Sequence, residues 1–310
     1  MTDIRFSVVI PTFNRARLIG RAVTCVLDQS YPCEEVLVVD DGSTDGSQDI
    51  VRSLGGKVRL LQQEHGGPSR ARNAGVRAAT AEWIAFLDSD DLWHRDHLHL
   101  IADAIRETGG VAAMYFTDAS YGSGPDARKH WGVSGFVPRA PHELITNAVP
   151  VVMCPVPPML MPFCVIRKDV YQRYGGLWEE LWSAEDTHLF IRMGLHETLC
   201  AVSGPGGIVT ADETDPANRL TIAYDTGTAR RWNALIRMYH RILADEPGLP
   251  EGIRKEFMKR LAHCHWRLAR LNWVEGNLLR SCASFATSLK TDESVVPQVL
   301  WDAIRRKMAN

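Results

Sequence analysis

No Cys-x-x-Cys pair occurs among the seven cysteines, which are odd in number and scattered through the 310 residues. That pattern excludes a zinc ribbon and a disulfide framework, and implies a reduced, intracellular chain. Charge of one sign is also lacking. A net charge of −2 and a pI near 6.6 leave no global basic field to attract nucleic acid. The first residues show no basic stretch followed by an apolar run, so no secretion signal is expected. No Gly-x-x-x-x-Gly-Lys-Ser/Thr is present, which excludes a P-loop NTPase. Gly204-Pro205-Gly206 lacks the third glycine of a dinucleotide fingerprint, because Val209 stands in its place. The run between Glu143 and Arg167 is free of charge, but it holds Pro150, Pro155, Pro157, Pro158 and Pro162. Prolines at that density break a spanning helix, so an apolar loop leading into a strand is expected.

What remains is ordinary globular material, with 45% apolar and 23% charged residues. Its charge is uneven. From Thr221 onward 15 Lys and Arg oppose 9 Asp and Glu, whereas the preceding part carries 20 against 28. An acidic front and a basic tail imply two functional regions.

The first hundred residues alternate short β-branched runs with helical periodicity. Strands are expected at Phe6–Ile10 (stopped by Pro11), Val36–Val39, Val58–Leu61 and Trp83–Leu87. Asn14 is expected to cap a helix bearing Leu18, Ile19, Ala22, Val23 and Val26, and a further helix is expected from about Pro68 to Ala79. This repetition predicts an α/β fold with a mostly parallel sheet flanked by helices. After Val111–Phe116 the pattern changes to loops, followed by a helix from about Ser183 to Met193. From about Ala229 the chain reads as helical, with a hairpin at Phe257–Leu271 and Asn277–Leu289 and a last helix at Val296–Met308.

Ligands of open α/β sheets sit beyond the carboxyl ends of the strands. Here those ends carry Thr12 and Phe13, then Asp40 and Asp41, then Asp88, Asp90 and Asp91. Five carboxylates meeting along one edge would repel unless a cation or donor groups compensate. A hard divalent cation completed by substrate phosphates is one resolution. The same aspartates also suit turns and caps. The segment His65–Asn73 precedes a helix, and its arginines could reach a diphosphate or base or simply be solvated.

Four segments in order, FSVVIPTFNR (Phe6–Arg15), VVDDGSTDGS (Val38–Ser47), ARNAG (Ala71–Gly75) and IAFLDSDD (Ile84–Asp91), resemble the family 2 glycosyltransferases. The resemblance covers roughly residues 5–200. It implies a GT-A fold, a Rossmann-like sheet flanked by helices, followed here by a C-terminal α-helical region. It further implies a catalytic domain over 1–220, divided into a nucleotide-sugar half (1–117) and an acceptor half (118–220), with a helical appendage over 221–310. The activity implied is transfer of a sugar from a nucleotide diphosphate, a UDP-sugar above all, usually with inversion and with Mn²⁺ or Mg²⁺. Carried over by position, Pro11, Thr12, Phe13, Arg15, Asp40, Asp41, Arg72, Asp88 and Ser89 would bind the nucleotide. Asp41 would bond the base, Asp88 would lie near the ribose, and Asp90 would hold the metal.

Trp182-Ser183-Ala184-Glu185-Asp186-Thr187 resembles the family's Glu-Asp motif, which makes Asp186 the catalytic base and Glu185 and Trp182 acceptor residues. Read without the resemblance, Ser183-x-x-Asp186 is a capping box. The sequence departs from the family in one place. Where many relatives carry a histidine, Val209-Thr210-Ala211-Asp212-Glu213 has none, leaving Asp90 alone with the phosphates or Asp212 as substitute. The acceptor would be a saccharide or a lipid-linked one, in surface polysaccharide or glycoconjugate synthesis. The basic helix Val296–Met308 either packs on the preceding helices or touches an anionic membrane surface, giving a cytoplasmic protein, peripheral at most. Two alternatives stand beside this reading: a non-catalytic sugar-nucleotide or glycan-binding module, and a sugar-1-phosphate nucleotidyltransferase. The latter needs a Gly-rich basic loop after the first strand, and Pro11-Thr12-Phe13-Asn14 is not one.

Overall fold

The computed structural model describes residues 3–124, 126–181, 183–210, 228–292 and 294. The chain divides into two compact units, Met1–Glu179 with Glu185–Glu213, and Glu180–Ala184 with Thr214–Asn310.

The first unit is built on one sheet with ten strands among the described residues. In chain order its elements are β1 (Phe6–Thr12), α1 (Ile19–Leu27), β2 (Glu35–Asp40), α2 (Ser47–Leu54), β3 (Val58–Gln62), α3 (Pro68–Ala78) and β4 (Trp83–Phe86). There follow β5 (Leu92–Trp93), α4 (His97–Glu107), β6 (Met114–Tyr121), β7 (Arg128–Lys129), α5 (His130–Ser134), β8 (His142–Ile145) and α6 (Val149–Val152). The unit is completed by β9 (Cys164–Arg167), α7 (Lys168–Arg173), α8 (Glu185–His196) and β10 (Leu199–Val209). The strands lie in the order β3-β2-β1-β4-β9-β6-β10-β5, with β7 on β6 and β8 on β10. β1 to β4 are mutually parallel, β6 is parallel to β10, and the antiparallel β9 joins the two groups.

Every residue of β1 and β2 is buried. Strands covered on both faces need apolar side chains at nearly every position, which is why their sequences read as continuous runs rather than alternations. α3 lies hard against this sheet. A Cβ at Gly75 would come within 2.4 Å of Val9 Cγ1 and 3.2 Å of Val39 Cγ2, so only glycine permits the approach. That contact fixes the helix whose next turn toward its N-terminus carries Arg72 and Asn73.

Two local expectations are corrected. β1 does not stop at Pro11 but continues to Thr12, in register with Asp40. β4 accompanies β1 only as far as Val9, so at Pro11 one flank of the strand is already open and a missing amide is tolerated there. Asn14 does not cap α1. It adopts φ 52°, its amide N–H donates to Ser43 Oγ at 2.9 Å, and its Oδ1 accepts from Thr44 N at 2.9 Å, which ties the loop after β1 to the loop after β2. The proline-rich segment folds as a loop with the short α6 and a turn at Met161–Phe163 before β9. Among the described residues no helix is long and apolar enough to cross a membrane.

The second unit contains α9 (Ala229–Asp245), α10 (Glu251–Val274) and α11 (Leu278–Thr291). α9 buries Trp232, Met238 and Ile242, and α10 buries Phe257, Leu261 and Ala262. Ser281 and Ser288 of α11 donate to the carbonyls of Ala269 and Ala262 at 2.9 and 2.8 Å, fastening the hairpin. The helix expected at Val296–Met308 lies outside the described residues.

Candidate active site

The parallel strands run their carboxyl ends toward one edge: Thr12 and Asp40 end β1 and β2 in register, and Asp88 follows β4, whose pairing with β1 ends at Val9. Asp40 is fully buried. Its Oδ2 accepts from Ser43 N at 3.1 Å and Gln48 Nε2 at 2.7 Å, while its Oδ1 has no hydrogen-bond partner among the described residues. Thr12 Oγ1, on the neighbouring strand, is buried and equally unpartnered among them. Asp41 is the opposite case. Its Oδ1 accepts from Gln63 Nε2 at 2.6 Å and Gly66 N at 2.9 Å, and its Oδ2 accepts from Gly67 N at 2.8 Å with His65 Nδ1 at 2.9 Å. Asp41 therefore organises the loop between β3 and α3. His65 in turn stacks on Phe13, with ring centroids 4.3 Å apart.

Arg72 is the hub on the other side. Its Nη2 donates to Asp88 Oδ1 at 2.5 Å, its Nη1 lies 3.7 Å from Glu185 Oε1, and its buried Nε has no hydrogen-bond partner among the described residues. Burial alone would discourage its charge, but Asp88 and Glu185 more than offset that cost and raise its pKa. Glu185 is pushed up to about 7, first by burial and then by the adjacent Asp186 charge, against the lowering effect of Arg72. α8 begins at Glu185, with Ala184 before it in a left-handed conformation at φ 64°. Asp186 Oδ1 accepts from Thr187 N at 2.6 Å and from Thr187 Oγ1 at 3.2 Å.

The five strand-end aspartates are compensated chiefly by donor groups of the chain itself, one of the two resolutions their spacing allows. Among the described residues no group of three or more His, Cys, Asp and Glu side chains is arranged to hold a metal ion. The physical reason is that each acid has acquired its own donors. Asp40 and Asp41 take loop groups, Asp88 takes Arg72, Asp90 lies 3.8 Å from Arg15 Nη2, and Asp91 Oδ1 accepts from Thr210 N at 3.0 Å. Asp90 still suits a hard divalent ion, since one carboxylate oxygen donor can be completed by phosphates and water. Ser89 is buried between these acids. Pro11 is buried and Arg15 is tied through its amide N–H to Ser47 Oγ at 2.9 Å. Trp182 and Asp212 lie outside the described residues.

Gln63 and Tyr171 join this region from outside every motif, whereas His65, Asn73 and Thr210 lie within the segments His65–Asn73, Ala71–Gly75 and Val209–Glu213 but carry no role of their own there. Their partners stand far along the chain, 119 residues away for Thr210 and Asp91, so no local spacing exposes them.

The α/β sheet, with its first four strands mutually parallel and carboxylates beyond their carboxyl ends, is a fold of the GT-A kind. The family described as Glycosyl transferase family 2 matches residues 7–175, more than half of the 310 residues, and the chain belongs to that family. It is 40% identical over 122 residues to the amylovoran biosynthesis glycosyltransferase AmsB of Erwinia amylovora, covering 37% of this chain and 40% of AmsB. It is 34% identical over 102 residues to the UDP-Glc:alpha-D-GlcNAc-diphosphoundecaprenol beta-1,3-glucosyltransferase WfgD of Escherichia coli, covering 32% of this chain and 40% of WfgD. An uncharacterized glycosyltransferase of Nostoc is 38% identical over 119 residues, and the match spans 37% of each chain. The chain thus matches well under half the length of these relatives. In fold it is similar to S. aureus TarS 1-349, with a TM-score of 0.67 at 22% identity over 94% of this chain and 83% of that one. A second likeness is to the mannosyltransferase PcManGT from Pyrobaculum calidifontis, solved with GDP-Man and Mn²⁺. That match has a TM-score of 0.56 at 21% identity over 98% of this chain and 81% of that one.

Proposed function

We propose that the protein is an inverting glycosyltransferase that moves a sugar from a nucleotide diphosphate donor, a UDP-sugar, to a hydroxyl of a saccharide or lipid-linked acceptor. One observation carries the donor site. Thr12 Oγ1, Asp40 Oδ1 and Arg72 Nε are all buried and have no partner among the described residues, and they belong to the motifs that define the family. Buried polar atoms are nearly always paired, so atoms left over at a strand edge fit a ligand that completes them. UDP is supported by relatives. WfgD acts on UDP-Glc by its name, and TarS has been solved with UDP-GlcNAc. Surface polysaccharide or glycoconjugate synthesis is supported by AmsB and by the teichuronic acid enzyme TuaG of Bacillus subtilis.

In this reading Pro11, Thr12, Phe13, Arg15, Asp40, Asp41, Arg72, Asp88 and Ser89 form the donor pocket, with Asp41 acting through the loop it holds. Asp90 would hold Mn²⁺ or Mg²⁺, which when bound offsets charge developing on the leaving diphosphate. Asp186 takes the proton of the acceptor hydroxyl. That oxygen then attacks the anomeric carbon from the face opposite the diphosphate, forming one C–O bond as the other breaks and inverting the centre. Glu185, with Trp182, would meet the acceptor. The reading keeps the enzyme cytoplasmic and at most peripheral to the membrane.

Calorimetric titration with UDP, GDP and dTDP, each with and without Mn²⁺, tests the donor class, and metal-assisted binding of UDP is the expected result. GDP binding alone would redirect the assignment. Asp186→Asn is expected to keep nucleotide binding and lose transfer by about 10²-fold or more. Near-normal transfer by that variant would overturn the role of Asp186, and a protein that binds nucleotide without any turnover would be a binding module instead.

A further inference from the structure

Asn73 follows Arg72 directly on α3 and is buried, with hydrogen bonds to the 171–179 segment and none to the strand-end acids. Its side-chain amide is fully used. Oδ1 accepts from Tyr171 Oη at 2.6 Å and from Leu177 N at 3.0 Å, and Nδ2 donates to Leu177 O at 2.8 Å and to Glu179 Oε1 at 2.9 Å. Two donors and two acceptor positions are all an asparagine has. By taking both the N–H and the C=O of Leu177, it grips the two peptide groups that flank one residue, which fixes orientation as well as distance.

The gripped segment leads toward the catalytic helix. Gly175 and Gly176 turn the chain at φ 77° and 71°, and a Cβ on Gly176 would stand 2.5 Å from Asn73 Oδ1. The same turn is held from α8. Arg192 Nη1 donates to Tyr174 O at 2.8 Å with its guanidinium 5.4 Å over the Tyr174 ring, and Trp178 lies 5.6 Å from the His188 ring. Tyr171 also packs on Phe86 at the end of β4, two residues before Asp88. The 174–179 turn, with Tyr171 just before it, therefore links α3, β4 and α8 in addition to the direct pairing of Arg72 with Asp88 and Glu185.

We infer that Asn73 is a positioning residue for sugar transfer: its amide clamps the 174–179 turn so that Glu185 and Asp186 stand at a fixed distance from Arg72 and Asp88. This rests on the glycosyltransferase reading above. Protein groups take up the whole Asn73 amide and leave it none for donor or acceptor, so loosening it should change the transfer step and not nucleotide affinity. An aspartate in its place keeps both acceptor positions but loses the donors, and it sets a carboxylate against Leu177 O and the Glu179 carboxylate. A glutamine at 179 would then donate to it and restore one bond.

The test uses the full chain. Wild type, Asn73→Asp, Glu179→Gln and the double variant are compared by UDP titration with Mn²⁺, by thermal midpoint, and by donor turnover with UDP-sugars. The expected pattern is a fall of tenfold or more in kcat for Asn73→Asp with UDP affinity within about twofold of wild type. Glu179→Gln alone should remain near wild type, and the double variant should recover at least half of the lost logarithm of kcat. A parallel fall of kcat and UDP affinity would assign Asn73 a general folding role and overturn the inference, as would an unchanged kcat. Equal impairment of the single Asn73→Asp variant and the double variant would also overturn it. Failure of the functional reading looks different, because wild type itself would then bind no nucleotide or turn over no donor, and the inference falls with it.

Discussion

β1 and β2 place a hydroxyl opposite a carboxylate twice, once at each end of the sheet, and the two ends are used differently. At the amino end Ser7 faces Glu35, and Ser7 Oγ donates to Glu35 Oε1 at 2.8 Å. Thr80 N and Oγ1 add bonds at 2.6 and 2.7 Å, and Arg59 Nη1 lies 2.5 Å from Oε2. At the carboxyl end Thr12 faces Asp40 in the same register, yet Thr12 Oγ1 and Asp40 Oδ1 are both left unbonded among the described residues. Matched chemistry is closed upon itself where the strands start and held open where they end. The first end is a structural tie, and the second is the side on which a parallel sheet receives ligands.

The largest expected effect falls at the closed end. Glu35→Ala strands Ser7 Oγ, Thr80 N–H and Arg59, and should lower stability by ~2–4 kcal/mol in denaturant unfolding. UDP affinity should be unchanged in the fraction that folds. If affinity fell as well, the two ends would not be separable. The ends also respond differently to pH. Burial would raise the pKa of Glu35, but the hydrogen bonds from Thr80 and Ser7 and the Arg59 pair hold it below the usual carboxylate value. The folded state therefore binds that proton less readily than the unfolded chain. Its contribution is present above the ordinary carboxylate pKa and lost as pH falls through the lowered one, so Glu35→Gln should flatten the acid limb of a stability curve.

Glu185 carries the reverse sign. With its pKa near 7, the folded protein holds the proton more tightly than the unfolded chain. Stability from this group is complete below the ordinary carboxylate value and declines as pH rises toward and through about 7. Glu185→Gln should remove a decline of roughly 1–3 kcal/mol between pH 5 and 8, read by unfolding at each pH. A wild-type curve flat over that range would show that Arg72 alone keeps Glu185 ionised. At the open end, Thr12→Val keeps shape and β-branching while deleting an unbonded buried hydroxyl. Stability should change by less than about 0.5 kcal/mol, or rise, while UDP affinity drops about tenfold. A loss of stability without loss of affinity would show that Thr12 belongs to the closed kind. The smallest effect is a control on the surface. Breaking the exposed Arg52–Asp49 pair by Asp49→Ala should shift stability by about 0.5 kcal/mol at most and leave nucleotide binding unaltered.

Much of the fold was legible because parallel strands covered on both faces write themselves as uninterrupted apolar runs. β2 and β4 read that way, and α3 was marked by the proline at its first turn. Pro11 and Asn14 behave otherwise than local rules predict. What decided them was the departure of β4 from β1 and the pairing of one loop with another, events set by distant chain. In the site, motif order brought Asp40, Asp41, Arg72, Asp88, Asp90, Glu185 and Asp186 into view. Nothing local distinguished Asp41, saturated by the His65–Gly67 loop, from Asp40, left half open. The motif at Ala71–Gly75 contains Asn73 but gives no hint of its role, because its partners Leu177 and Glu179 lie 104 and 106 residues away.

The sequence by itself determined the first parallel strands and their helices, the strand-end acids and the family, because periodicity and short motifs are local properties of a chain, while the strands β5, β7, β8 and β10 emerged only in the folded sheet. Only the tertiary structure decided which acids are neutralised by loops, which share one buried arginine, and which buried polar atoms stay unpaired. Desolvation and hydrogen bonding depend on what packs around a group, and that surrounding is assembled from residues far apart in sequence.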